Sequence, residues 1–255
     1  MERSKPLVVG LGEVGGALTK LLEANGPVSV LDVKPVEITG PIDVMHVCFP
    51  FQQRRGFVPA VVERIKQFVP SLTIINSTVL PGTTRAIASA TGAAVAYSPI
   101  RGKHAKMVED LRHYTKFVAS PDRETARRAE DHFRSLGMKT SSMAEPETLE
   151  LAKLAETTYF GIQIAFAQEL NRYAGRVGGQ YSEAVKFFEE VDFLPRVTYF
   201  PGFIGGHCVI PNIHLLQEIE ESPLLEAILE SNARRTEELH EQRTNGTAEP
   251  AKRAE

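Results

Sequence analysis

The sequence predicts an α/β protein: a doubly wound parallel sheet over residues 1–144, then a small all-helical domain over residues 145–243 with one long central helix, and a polar tail over 244–255. Three observations carry that expectation. Short apolar strands alternate with helical stretches through the first 144 residues, as parallel βα units do. A glycine-rich turn separates the first strand from the first helix. One proline-free helical run extends from Glu147 to about Val177.

Pro6–Leu11 reads as the first buried strand, and Ala17–Leu22 has helical spacing closed by Gly26-Pro27. Between them lies Gly10-Leu-Gly12-Glu13-Val14-Gly15, and Val28–Asp32 is a second strand ending in an acid. Strand, glycines, helix, strand and acid together form a dinucleotide fingerprint. Gly10 permits the tight turn, Gly12 lets backbone approach a pyrophosphate, and Gly15 lets the helix pack closely on the strand. Asp32 stands where a carboxylate accepts from a ribose 2′-hydroxyl, which favours NAD over NADP, while Lys34 close by works against that discrimination. The expected architecture is therefore Rossmann-type, with NAD as cofactor.

Ile42–Phe49 is the third strand, stopped by Pro50, and Phe51–Val69 is helical up to Pro70. Leu72–Asn76 is the fourth strand. Ser77-Thr78-Val-Leu-Pro81-Gly82-Thr83-Thr84 leads into a helix to about Ala90, and Ala93–Tyr97 is the fifth strand. Ligands of such sheets bind at the carboxyl ends of the strands. Glu13, Val14, Pro50, Ser77 and Thr78 therefore join the three glycines and Asp32 as candidate cofactor contacts. Cys48, at another strand end, reads as packing. Ser98–Asp110 is a polar loop whose Arg101, Lys103, His104 and Lys106 suit a phosphate or carboxylate, or simply solvent. Lys116–Ala119 is a sixth strand, Asp122–Leu136 a helix closed by Gly137, and Lys139–Met143 a seventh strand.

In the long run, Leu149, Leu154, Tyr159, Phe160, Ile164, Phe166, Leu170 and Tyr173 cover most of the helix circumference. A helix apolar all round must be buried on several sides. A small domain cannot do that alone, so the run predicts a homodimer through residues 147–177 and makes this a dimerisation domain. Tyr181–Val191 is a second helix. Pro201–Asn212 then gathers three glycines and two prolines around Cys208, with His207 beside it. A thiol on such a loop is a candidate nucleophile, although taken alone it reads first as an inert buried cysteine. Asn212 reads as the N-cap of a helix through Glu220, Leu224 to about Gln242 as a charged amphipathic helix, and the tail as disordered.

Composition narrows the function. The formal net charge of the 255 residues is -3, so no basic face for nucleic acid is implied. Cys48 and Cys208 are the only cysteines and lie far apart, so no disulfide framework is expected and a reducing cytoplasm fits best. The chain start shows no signal-peptide pattern, no run is long enough to span a bilayer, and no zinc-type cluster of Cys and His occurs.

Several separated motifs agree with one family. The chain resembles the nucleotide-sugar 6-dehydrogenases, the UDP-glucose/GDP-mannose dehydrogenase family, in consistent order from about Leu7 to Leu216. Gly10–Gly15 is similar to its NAD motif, and Ser77–Thr84 to its Ser-Thr-Val-x-Pro-Gly-Thr strand end. Tyr97-Ser-Pro99 is similar to the start of its substrate loop, and Leu149–Lys153 through Phe166–Leu170 to its central dimer helix. The stretch around Cys208 resembles its Gly-Gly-His-Cys-Ile-Pro-x-Asp loop. The resemblance implies oxidation of a primary alcohol at sugar C6 twice, with two NAD+. A cysteine captures the aldehyde as a thiohemiacetal, the second oxidation gives a thioester, and water releases the acid. Cys208 matches that nucleophile, and Lys153 the lysine that stabilises the oxyanion and takes the alcohol proton. Thr157 completes the expected catalytic set. Arg101, Gly205, His207 and Asn212 are the expected contacts to a sugar or nucleotide-sugar substrate.

The departures from that pattern are specific. Thr157 stands where the family has Asn, Ile100 where it usually has a Glu base for thioester hydrolysis, and Asn212 where it has Asp. The chain also stops before the family's C-terminal nucleotide-gripping domain, so a truncated form with a smaller or differently held substrate is expected. Two alternatives remain open: a single two-electron oxidation of the β-hydroxyacid type, and an NAD-binding, non-catalytic homologue.

Overall fold

The structure is a computed structural model that describes residues 5–33, 38–51, 54–102, 106–192, 200–206 and 208–244. The chain divides into two compact units, Met1–Lys153 and Leu154–Glu255.

In the first unit, β1 (Lys5–Val9), β2 (Ser29–Leu31), β3 (Ile42–Val47), β4 (Leu72–Ile75) and β5 (Val95–Tyr97) form one parallel sheet in the order β2-β1-β3-β4-β5. Helices α1 (Glu13–Glu23), α2 (Arg54–Phe68) and α3 (Thr83–Thr91) connect the strands. Both faces of the sheet are covered, which is why the strands read as continuous apolar runs rather than alternating ones. Successive connections reverse direction at β1, so a crevice opens at the carboxyl ends of β1 and β3. Backbone bonds continue past the strands and fix their tips: Gly10 N to Leu31 O, Cys48 N to Val9 O and Asn76 N to Val47 O at 2.8 Å, and Ser98 N to Ile75 O at 2.9 Å.

The sixth and seventh strands do not extend this sheet. β6 (Lys116–Val118) and β7 (Thr140–Ser142) form a separate parallel pair, joined to β5 by an antiparallel bridge from Tyr97 to Ala119. The connection before β6 holds α4 (Met107–His113), a helix of about 10 Å that is too short to recross a sheet and deliver a parallel neighbour. Part of the polar loop is therefore helical. α5 (Arg123–Ser135) begins at Asp122, whose carboxylate accepts from the Thr125 amide at 2.8 Å. Phe133 of α5 packs with Val8, Val44, Ile74 and Ala96 in the main core.

The second unit is helical. α6 (Pro146–Arg176) begins in the first unit and continues into the second, followed by α7 (Tyr181–Glu189), α8 (Val209–Gln217) and α9 (Pro223–Thr244). Its core is Ile164, Ile204, Val209, Ile213, Leu225 and Ile228. One expectation is corrected here: Asn212 does not cap α8 but lies inside it, and Cys208 holds the N-cap position. Pro211 explains the difference. Proline is tolerated in the first turn of a helix, where its missing N–H would have no intrahelical acceptor. Residues 245–255 lie outside the described residues. No helix among those described is long and apolar enough to cross a membrane.

Candidate active site

Three glycines shape the mouth of the β1–β3 crevice, each for its own reason. Gly10 has φ +94°, and a Cβ there would lie 2.8 Å from the Phe49 amide nitrogen. A Cβ on Gly15 would lie 1.8 Å from the Gly10 carbonyl oxygen and 3.2 Å from Cys48 Cβ, so only glycine lets α1 approach β1 and β3 this closely. A Cβ on Gly12 would meet no atom within 4 Å. Gly12 opens α1 without a side-chain cap. Glu13 is exposed and Val14 half-buried, and Asp32 is exposed immediately beyond β2. Pro50 is exposed and Thr78 half-buried. Ser77 is buried, its hydroxyl donating to Phe49 O at 2.6 Å, so it ties the tip of β4 to the tip of β3. Lys34 lies outside the described residues.

Sequence reading missed a buried polar network under the same strand tips. Lys116, only 4% exposed, donates from Nζ to Ser98 O at 2.7 Å, to Pro99 O at 2.9 Å and to Asn76 Oδ1 at 3.5 Å. Burial pulls this ammonium well below the ordinary lysine range, and the charges of Lys153 and Arg101 act in the same direction. Asn76 Nδ2 donates to His46 Nδ1 at 3.2 Å, which leaves His46 Nε2 to donate to His132 Nε2 at 2.9 Å. Both imidazoles are held neutral by burial, His132 down at about 4. Cys48 is buried with them, and burial pushes its thiol up to about 12.

Arg101, expected at the substrate, donates from Nη2 to Thr115 O at 2.7 Å and stacks over Phe117 and Tyr114. With Lys116 it clips the 98–101 segment onto residues 114–117. Ile100, where the resembling family usually has Glu, is buried in the main core. Lys103 and His104 lie outside the described residues. Lys153 is half-buried, at the last position of the first unit.

In the second unit, Cys208 is exposed at the N-terminus of α8. The 202–204 segment leading to it is held from two helices. Gln168 Nε2 of α6 donates to Gly202 O at 2.7 Å, and Asn232 Oδ1 of α9 accepts from Ile204 N at 2.6 Å. Neither residue stood out in the sequence. Gly205 packs against the Phe203 ring, and Gly206 takes φ +83°. α8 sits close on α6 because Gly161 has no side chain: a Cβ there would lie 2.8 Å from Val209 Cγ1. One turn earlier on α6, Thr157 Oγ1 accepts from Asn212 Nδ2 at 2.9 Å. His207 lies outside the described residues. Among the described residues, no group of His, Cys, Asp and Glu could hold a metal ion.

Residues 147–236, which carry Lys153, Thr157, Cys208 and Asn212, match the central domain of the UDP-glucose/GDP-mannose dehydrogenase family. A UDP-N-acetyl-D-mannosamine dehydrogenase of Methanococcus maripaludis is 29% identical over 161 residues, covering 60% of this chain and 37% of that protein. The match thus spans well under two thirds of the relative's length. Among solved structures, UDP-D-ManNAc dehydrogenase from Pyrococcus horikoshii superposes with a TM-score of 0.80 at 19% identity, covering 94% of this chain and 71% of that one. A UDP-glucose dehydrogenase from Pyrobaculum islandicum gives 0.78 at 19% identity, covering 96% and 72%. Both share the fold of this chain.

Proposed function

We propose that the chain is an NAD-dependent oxidoreductase acting on the primary alcohol of a nucleotide sugar, with Cys208 as covalent nucleophile and Lys153 as the group that handles the alcohol proton. The observation that carries this reading is that the matched segment, 147–236, contains both Lys153 and Cys208. The open space at Gly12 supports the cofactor. The protein itself makes no demand for glycine there, whereas a pyrophosphate lying against that backbone would. Gly10, Gly12 and the first amides of α1 would hold the phosphates, Asp32 the ribose hydroxyls, and Pro50, Ser77 and Thr78 would flank the nicotinamide end. When bound, NAD+ supplies the acceptor for hydride.

The residues of the chain do the rest. Lys153 takes the hydroxyl proton as the alcohol becomes an aldehyde. Cys208 Sγ then bonds to the aldehyde carbon, and Lys153 steadies the resulting oxyanion. Loss of the second hydride leaves a thioester on Cys208, and water cleaves it to the acid and the free thiol. Neither position where the family keeps an acid supplies a base for that last step: Ile100 is in the core, and Asn212 is bonded to Thr157.

The same reading includes a homodimer through α6. Leu151, Tyr159, Phe166 and Tyr173 recur at intervals of seven or eight residues and are each about half exposed, an apolar stripe suited to a second copy of the helix. The relatives are named for UDP-N-acetylmannosamine, so that sugar nucleotide, UDP-glucose and GDP-mannose form the first test panel. NADH appearing with one of them supports the reading. NADH with none of them, while the protein still binds NAD+, contradicts it.

A further inference from the structure

Glu150 is fully buried on α6. Its Oε2 accepts from the Gly82 amide at 2.6 Å, while Oε1 accepts from the Thr84 amide at 2.9 Å and the Thr84 hydroxyl at 2.6 Å. These donors stand at the N-terminus of α3, whose N-cap residue, Gly82, has no side chain to offer. The carboxylate therefore meets orphan N–H groups and the positive end of a helix at once. Burial pushes Glu150 up and the bonds from Thr84 and Gly82 pull it back, the burial effect prevailing. Arg85 also pairs with Glu145 and Glu147 at 2.6 Å, but these contacts are largely exposed and screened. The buried carboxylate is the one that sets geometry. Three residues on from Glu150, on the neighbouring turn of the same side of α6, stands Lys153. The Lys153 charge bears on Lys116, whose ammonium is bonded to the Ser98 and Pro99 carbonyls.

We infer that Glu150 is a positioning residue: by closing the N-terminus of α3 it fixes the register of α6 on the Ser77–Thr84 strand end, and so sets where the Lys153 ammonium stands. Its effect on turnover rests on the dehydrogenase reading, but its effect on Lys153 does not. Glu150→Gln keeps the size of the side chain but turns an amide N–H2 toward backbone donors. Thr84→Val removes one of the three donors and leaves the carboxylate in place. Two quantities are read in each variant: kcat and KM for NAD+, and the rate at which Lys153 is acetylated in the protein without substrate, followed by peptide mass spectrometry.

The expected result for Glu150→Gln is a fall in kcat of about tenfold or more with KM for NAD+ within about twofold, and a change of about threefold or more in Lys153 acetylation. Thr84→Val should shift both in the same direction by less, and it decides alone if Glu150→Gln does not fold. If the variants only melt earlier, with kcat and Lys153 acetylation within about twofold of the parent, Glu150 is merely structural and the inference is overturned. If the parent produces no NADH from any sugar, the dehydrogenase reading fails, and the acetylation rate still decides the role of Glu150.

Discussion

Asn212 donates from Nδ2 to Thr157 Oγ1 across 2.9 Å, linking the helix that begins at Cys208 to the turn of α6 after Lys153. Both residues depart from the pattern the chain otherwise resembles, and here they satisfy each other. Asn212 is 5% exposed, so removing its amide leaves a cavity and costs Thr157 a buried partner. Asn212→Ala should lower stability by about 1–3 kcal/mol. Asn212→Asp should lose less, because the Thr157 hydroxyl can turn to donate to the new carboxylate. Urea unfolding of the two variants checks the order, and an equal loss in both would show that the contact contributes nothing specific.

The glycines of the β1–α1 turn separate folding from binding. Gly15→Ala places a Cβ 1.8 Å from a backbone oxygen that cannot move aside, and should prevent stable folding of the first unit. Gly12→Ala meets nothing and should leave stability within about 0.5 kcal/mol of the parent. It should nevertheless weaken NAD+ binding tenfold or more, about 1.4 kcal/mol. Thermal melts with and without NAD+ read both effects. Unchanged NAD+ binding in Gly12→Ala would remove the main structural support for the cofactor.

The turn was legible in sequence because every cause in it is local: strand, glycine spacing, helix and acid follow one another between Lys5 and Asp32. The polar network was not. His46 is flanked by Met45 and Val47 in a mostly apolar strand and Lys116 stands at the start of a short one, and only the return of α5 brings His132 against His46. Glu150 was equally silent, an acid in a helix whose partners lie 66 and 68 residues away. Asn212 reads as an N-cap in the sequence, but Pro211 stands in the first turn of α8, which begins earlier, at Val209.

The buried imidazoles make stability depend on pH in a defined window. His132 is held down at about 4 by burial, against an ordinary value of 6.5. Between those values the unfolded chain binds more protons than the folded one, so stability is full above about pH 6.5 and falls as the pH drops toward 4. The loss from this group reaches at most about 3 kcal/mol. In His132→Gln, whose side-chain oxygen can still accept from His46 Nε2, the slope over that window should be smaller. Urea midpoints between pH 7 and 4.5 measure it. Parallel curves for parent and variant would mean that His132 titrates normally in the folded protein.

The central claim is two successive oxidations through Cys208, and the ratio of NADH to acid tests it most directly. With a nucleotide sugar that supports turnover, NADH is followed by absorbance and the product is weighed by mass spectrometry. The account predicts two NADH per acid formed by the parent, and no acid from Cys208→Ala with NAD+ binding intact. One NADH per oxidised product, or acid formed at the parental rate by Cys208→Ala, would contradict it.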